Sequence, residues 1–262
     1  MKFTATRGSV RIVFEVIGRG APVVMLHDFG QSSGFWFEFG YVKACLAHGR
    51  QVVLVDLRGH GASSDPIDAM AYGPIHCCWD AIAVLDHAGI GRADVLGYGV
   101  GGRIALCMAA FAPARVHAVA AGGAHPFAER RHSTDQTLET WVKLVQAKAD
   151  AAVAKRHRLT SNGPAALKAS MASDWPDIAN AVVRSRVPIQ LFVGKEDPRY
   201  ALVLSFAEQS GARAIVLPTH TYATAAAAGN AELLPRILDF FDAPNECAQT
   251  KLPPCLWSGS WA

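Results

Sequence analysis

Short, unbroken apolar runs that stop abruptly at loops rich in glycine or aspartate recur along this chain. Residues 23–26 (VVML) end at His27-Asp28-Phe29-Gly30, and residues 51–55 (QVVLV) end at Asp56-Leu57-Arg58-Gly59-His60-Gly61. Residues 93–96 run into Gly97-Tyr98-Gly99-Val100-Gly101-Gly102, and residues 116–121 into Gly122-Gly123. Residues 74–87 and 103–111 carry apolar side chains at helical spacing, and residues 10–16 alternate like a half-exposed strand. The alternation pauses over residues 125–186, which are charged and alanine-rich, lack strand signals and include helical stretches such as 138–153. It resumes with strands at 188–193 and 213–217 and a final helix near 232–241. Buried strands alternating with helices imply an α/β fold, a mostly parallel sheet covered on both faces. The expected organisation is a core domain of residues 1–124 and 187–245, a helical cap of 125–186 over the strands' C-terminal ends, and a tail of 246–262.

Composition narrows the function classes. With 262 residues, 51% of them apolar and 18% charged, the chain can bury one sizeable core. The net charge of +3 is spread along the sequence. Arg130-Arg131-His132 and Lys155-Arg156-His157-Arg158 are too short for a nucleic-acid or membrane footprint and read as solvated helix faces. The first residues, MKFTATRGSVRIVFEVIG, lack the apolar centre of a signal peptide, and no run is long enough to span a bilayer. The expectation is a cytoplasmic protein with a small-molecule ligand and neither nucleic acid nor membrane as partner. Cys45, Cys77, Cys78 and Cys107 sit in apolar surroundings without metal-ligand spacing, which predicts buried free thiols and no metal. Cys247 and Cys255 lie in the tail, where an oxidising environment would allow them to pair. No cofactor is expected.

Open α/β sheets place ligands just past their strand ends. Four loops there, LHDFG, DLRGHGAS, GYGVGG and FVGKEDP, resemble in order and spacing those of the α/β-hydrolase family. The likeness covers about residues 8–242 and is greatest to small esterases, lactonases and carbon–carbon-bond hydrolases. It implies an α/β-hydrolase fold: a mostly parallel eight-stranded sheet flanked by helices, with a small helical cap. The family's nucleophile elbow reads Gly-x-Ser-x-Gly, with the serine on a strained strand-to-helix turn. Here the matching residues are Gly97, Tyr98, Gly99, Val100 and Gly101. The turn is kept, and the nucleophile position, Gly99, has no side chain. The same stretch also satisfies the dinucleotide pattern Gly-x-Gly-x-x-Gly, at Gly97, Gly99 and Gly102. That pattern wants an acidic residue closing the next strand, which here ends Ala118-Val119-Ala120-Ala121, and it usually opens the first strand–helix unit rather than a later one.

The resemblance implies further roles. Asp197 stands at the family's acid position, whose task is to orient a histidine. The histidine usually follows a Leu-Pro pair such as Leu217-Pro218 by four residues, which here is Tyr222, while His220 lies two residues earlier. Either is the base-position candidate; a capping carboxylate and an ordinary loop histidine are the plainer alternatives. The oxyanion hole would use the backbone N–H groups of Val100 and Phe29. Asp28 replaces a usual glycine beside it and would oppose negative charge unless paired. Asp28 or His27 acting as acid or base ranks below His27 as a loop tie. Arg58 and His60 read as residues pinning their loop. Tyr98 and Trp36 are candidate pocket walls; Phe35, Phe37, Trp141 and Trp175 read first as core or lid packing.

Three functional readings follow. The preferred one is a hydrolase-family protein that binds a small, largely apolar carbonyl compound without forming an acyl-enzyme, with room for non-covalent lyase, cyclase or isomerase chemistry. The second is a non-catalytic binding or sensor protein. The third is an esterase-type hydrolase in which serine has become glycine.

Overall fold

The computed structural model describes residues 2–129, 164–218, 220 and 233–243. Eight strands, β1 (Lys2–Arg7), β2 (Val10–Ile17), β3 (Pro22–Leu26), β4 (Gln51–Val55), β5 (Ala93–Tyr98), β6 (Val116–Gly122), β7 (Ile189–Gly194) and β8 (Arg213–Leu217), form one sheet. Their order is β1-β2-β4-β3-β5-β6-β7-β8. The sheet is parallel from β4 to β8, whereas β2 runs antiparallel to both β1 and β4. It is thus mixed at one edge. The sequence left β1 unmarked because its pattern, KFTATR, offers only Phe3 and Ala5 to one face between polar residues. The turn at Gly8-Ser9 pairs it with β2, Arg7 opposite Val10.

Helices among the described residues are α1 (Gly34–Glu38), α2 (Tyr41–Ala47), α3 (Pro74–His87), α4 (Val100–Phe111), α5 (Pro164–Ala172), α6 (Ala179–Ser185), α7 (Tyr200–Ser210) and α8 (Leu234–Asp242). Two apolar cores cover the two faces of the sheet. One joins α3, α4 and α7 to Val24, Val53, Val95 and Val119, and the other joins α1, α2 and α8 to Val23, Met25, Leu54 and Leu96. Successive residues of β3, β4 and β5 point to opposite faces, so a central strand buried on both must be apolar throughout. That is why these strands read as unbroken runs.

Of the expected cap, residues 125–129 and 164–186 are described, and the stretch 138–153 lies outside them. Glu129 and Trp175 form an isolated antiparallel bridge, while Trp175, Ile178 and Val182 are buried in the same core as α4. Cys45, Cys77, Cys78 and Cys107 are buried free thiols. Among the described residues no helix is long and apolar enough to cross a membrane.

Candidate functional site

Four strand ends converge: Leu26 of β3, Tyr98 of β5, Gly122 of β6 and Gly194 of β7. Between β5 and α4 the chain turns at Gly99, with φ 55° and ψ −115°. A side chain is strained at such a φ, and glycine is not. The Gly99 N–H donates to Gly122 O (2.9 Å), and Gly99 O accepts from the N–H of Arg103 (3.0 Å). Gly101 then lets α4 lie directly against the end of β3: a Cβ there would stand 2.0 Å from Leu26 O and 2.6 Å from His27 O.

A cleft of about 260 Å³ opens over this turn. Gly99, Val100, Asp28 and Phe29 form its floor, and Met171 and Trp175 form an apolar wall. His125, Glu129 and Arg199 supply polar groups, with Arg199 Nη2 donating to Glu129 Oε1 at 3.0 Å.

Asp28 does not point away from the elbow. Its Oδ1 accepts the Val100 N–H at 2.9 Å. That N–H begins α4 and is the donor expected for an oxyanion hole, so the carboxylate meets the positive end of the helix dipole. The expected repulsion is thereby turned into a charge-assisted contact, at the cost of a donor for substrate. The loop bearing Asp28 is fixed by His27. His27 Nδ1–H donates to Asp28 O (2.7 Å), and Nε2 accepts the Leu57 N–H (3.0 Å). Burial lowers the His27 pKa and keeps the ring neutral in this tie.

The other sequence candidates form no hydrogen-bonded set among the described residues. Asp197 is buried, and its Oδ1 accepts the Arg199 N–H (2.8 Å) just ahead of α7. Its Oδ2 has no hydrogen-bond partner among the described residues, and burial raises its pKa. His220 is tied through its backbone, its carbonyl accepting from Glu196 N (3.2 Å). Among the described residues His220 Nδ1 is likewise buried without a partner, so it and Asp197 Oδ2 are not joined. Tyr222 lies outside the described residues. Tyr98 is 3% exposed and stacked against Phe192 and Phe35, and Trp36 is 1% exposed, edge-on to Tyr41. Neither lines the cleft; both lie in the core on the α1–α2–α8 face of the sheet. Arg58 and His60 are buried in their loop. Arg58 grips Asp80 through Nε (2.5 Å) and Nη2 (2.6 Å), and His60 Nδ1–H donates to Arg58 O (2.9 Å).

Sequence reasoning passed over His125, Glu129, Arg199 and Arg103. The available signal for Arg103 was a single charge within the apolar run VGGRIALCMAAF. Arg103 is buried and donates to the carbonyls of His125, Phe127 (2.8 Å) and Pro176, strapping the segment after β6 onto α4. Its guanidinium lies over the Trp175 ring, 5.6 Å from the centroid. Burial pushes His125 down to about 4. Since an unfolded histidine titrates near 6.5, the unfolded chain takes up this proton first as pH falls. His125 therefore withdraws stability progressively between pH 6.5 and about 4. Thermal unfolding at pH 7.5 and 4.5 should show His125→Gln losing less Tm across that window than the wild type.

The profile for the alpha/beta hydrolase fold matches residues 21–171, more than half of the chain. The chain belongs to the α/β-hydrolase fold family. Bifunctional epoxide hydrolase 2 of Sus scrofa is 34% identical over 119 residues, 45% of this chain and 21% of that protein. This chain thus spans about a fifth of the length of that curated relative. Among solved structures, the enol-lactonase from Burkholderia xenovorans LB400 superposes with a TM-score of 0.75 at 18% identity, covering 90% of this chain and 98% of that one. The bottromycin epimerase solved in complex with bottromycin A2 gives a TM-score of 0.72 at 20% identity, covering 92% and 99%. At those identities the likeness is one of fold.

Proposed function

We propose that the cleft over Gly99 binds a small carbonyl compound, with an apolar body and a polar end, and acts on it without an acyl-enzyme. The observation that carries this reading is the pairing of Asp28 Oδ1 with the Val100 N–H beside a glycine elbow. A serine hydrolase needs a nucleophile and an unoccupied donor pair for the tetrahedral oxyanion. Neither is offered by this arrangement. Met171, Trp175 and Phe29 suit the apolar body, and Asp28, His125, Glu129 and Arg199 suit the polar end. Proton transfer of the lyase, cyclase or isomerase kind requires a positioned acid–base group rather than a nucleophile, and Asp28 at the cleft floor is the candidate. The similar fold of a protein named as an epimerase is in keeping with such chemistry.

A binding or sensor role is the second reading, favoured by the lack of a hydrogen bond between Asp197 Oδ2 and His220 Nδ1 among the described residues. An esterase altered only at residue 99 is the third, and restoring the serine separates it from the others. Gly99→Ser should fold with a loss of about 1–3 kcal/mol, the cost of a side chain at positive φ. It should remain inert toward p-nitrophenyl acetate and unlabelled by a serine-directed phosphonate. Rapid labelling of this single variant would overturn the proposal. Adding Asp28→Gly should leave the protein still unlabelled if the base is also missing. Mass spectrometry of a co-purified ligand, before and after long incubation, separates enzyme from binder.

A further inference from the structure

We propose that a groove at the far end of the sheet from the cleft is a second binding site, and that it takes a small amphipathic carboxylate.

The groove encloses about 400 Å³ and shares no lining residue with the cleft. Ile189 and Arg213, the first residues of β7 and β8, line it, whereas the cleft sits past the other ends of the strands. Its volume falls in the range of about 300–1,000 Å³ that small-molecule sites occupy. Val187, Ile189, Phe206 and Phe240 give it apolar walls, drawn from both cores of the molecule.

The charge around these walls is one-sided. Among the described residues the charged lining consists of Arg186 and Arg213, with no acid. Neither guanidinium forms a hydrogen bond or ion pair with a described residue, whereas Arg50, Arg58 and Arg115 each hold a carboxylate. Arg186 also caps α6 in the left-handed region, at φ 56° and ψ 15°. Every other positive φ among the described residues belongs to a glycine. Glycine is the usual residue just past a helix end, and strained exceptions cluster where a side chain has a task.

The helix ends nearby do not cancel this charge. The C-termini of α6, α7 and α8 meet at the groove, each equivalent to roughly half a negative charge. Together they fall short of two full positive charges. Part of that negative charge is already met, since Val183 O accepts the Arg186 N–H (3.3 Å) and Phe206 O accepts the Ser210 hydroxyl (2.6 Å). Cations beside apolar walls call for a ligand that is anionic at one end and apolar along the rest. A guanidinium matches the paired oxygens of a carboxylate, and either arginine suffices to meet one.

The test compares 4-phenylbutanoate with 4-phenylbutanamide, its uncharged counterpart, in methyl NMR titrations of the full chain. The wild type should bind the acid about fivefold more tightly, the scale of an exposed ion pair, with shifts at Val187 and Ile189. Arg186→Gly removes one charge and relaxes the backbone, so it should lower the preference while melting no lower than the wild type. Arg186→Gly/Arg213→Gln should bring the ratio to about one and leave amide affinity within about twofold. Equal affinities in the wild type, a preference that survives loss of both arginines, or shifts confined to Met171 and Trp175 would each overturn the proposal. So would groove signals that move with protein concentration rather than with the acid, which would assign the groove to a second copy of the chain. Contacts from residues 244–262 to Phe206 in the free protein would assign it to the chain's own continuation, with the same effect. None of these outcomes bears on the reading of the cleft over Gly99.

Discussion

Gly101→Ala is expected to abolish soluble expression or to cost more than about 4 kcal/mol, the range reached only by severe structural conflicts. The added methyl would stand 2.0 Å from Leu26 O, 2.4 Å from Leu26 C and 2.6 Å from His27 O. All three are backbone atoms of a central strand and its exit loop, so no flexible side chain can swing aside. Relief requires α4 to lift from β3. That movement would open the core around Ile104, Ala105 and Met108, all fully buried, and would separate Val100 from Asp28. Gly91→Ala is the matched control. A Cβ at Gly91 meets nothing within 4 Å, and the change should lie within about 0.5 kcal/mol of wild type. Thermal melts of the two variants decide the matter. A Gly101→Ala protein melting with the wild type would show that α4 does not seat as described.

Arg58→Met should cost about 3–5 kcal/mol, because it strands the Asp80 carboxylate in the interior. Asp80 is 4% exposed and is gripped by two guanidinium nitrogens, at 2.5 and 2.6 Å. Burial already raises its pKa despite the opposing pull of Arg58. Without that pull the pKa rises further. A carboxyl whose folded pKa exceeds its unfolded value of 3.8 carries no ionisation penalty below pH 3.8. The penalty then accumulates as pH rises through the folded pKa. The gap between Arg58→Met and wild type should therefore be widest at neutral pH and narrow toward pH 4. The double variant Arg58→Met/Asp80→Leu should recover most of the loss, since an apolar pair of similar volume replaces buried ions at little cost. Denaturant unfolding at pH 7.5 and 4.5 reads all three proteins. A single variant whose deficit grows on acidification would contradict the assignment of the loss to Asp80.

The sheet was legible because its strands are buried on both faces and so carry no alternation to confuse. Gln51–Val55, Pro74–His87 and Arg213–Leu217 fall at their expected bounds. The strand missed among the described residues, β1, packs a single face at the edge and shows the weakest apolar pattern. At the site, the elbow and its loops were legible as glycine spacings, which are local. The contact of Asp28 with Val100 was not, because Val100 is 72 residues away and only the fold brings them together. Trp36 and Tyr98 illustrate the same limit. An aromatic residue beside a functional loop can face the cleft or the core, and sequence period does not distinguish them there. His125 escaped notice because a buried ring nitrogen without a partner among the described residues is a property of the surroundings rather than of spacing.

The carboxylate seated on Val100 also bears on how the protein meets its solution. The exposed start of a helix ordinarily attracts phosphate, sulfate or arsenate, which settle on its first amide groups. In α4 the first of these amides, that of Val100, already donates to the Asp28 side chain. Dissolved oxyanions reach the Val100 N–H only by displacing that side chain, so raising their concentration should do little to stiffen this corner of the molecule.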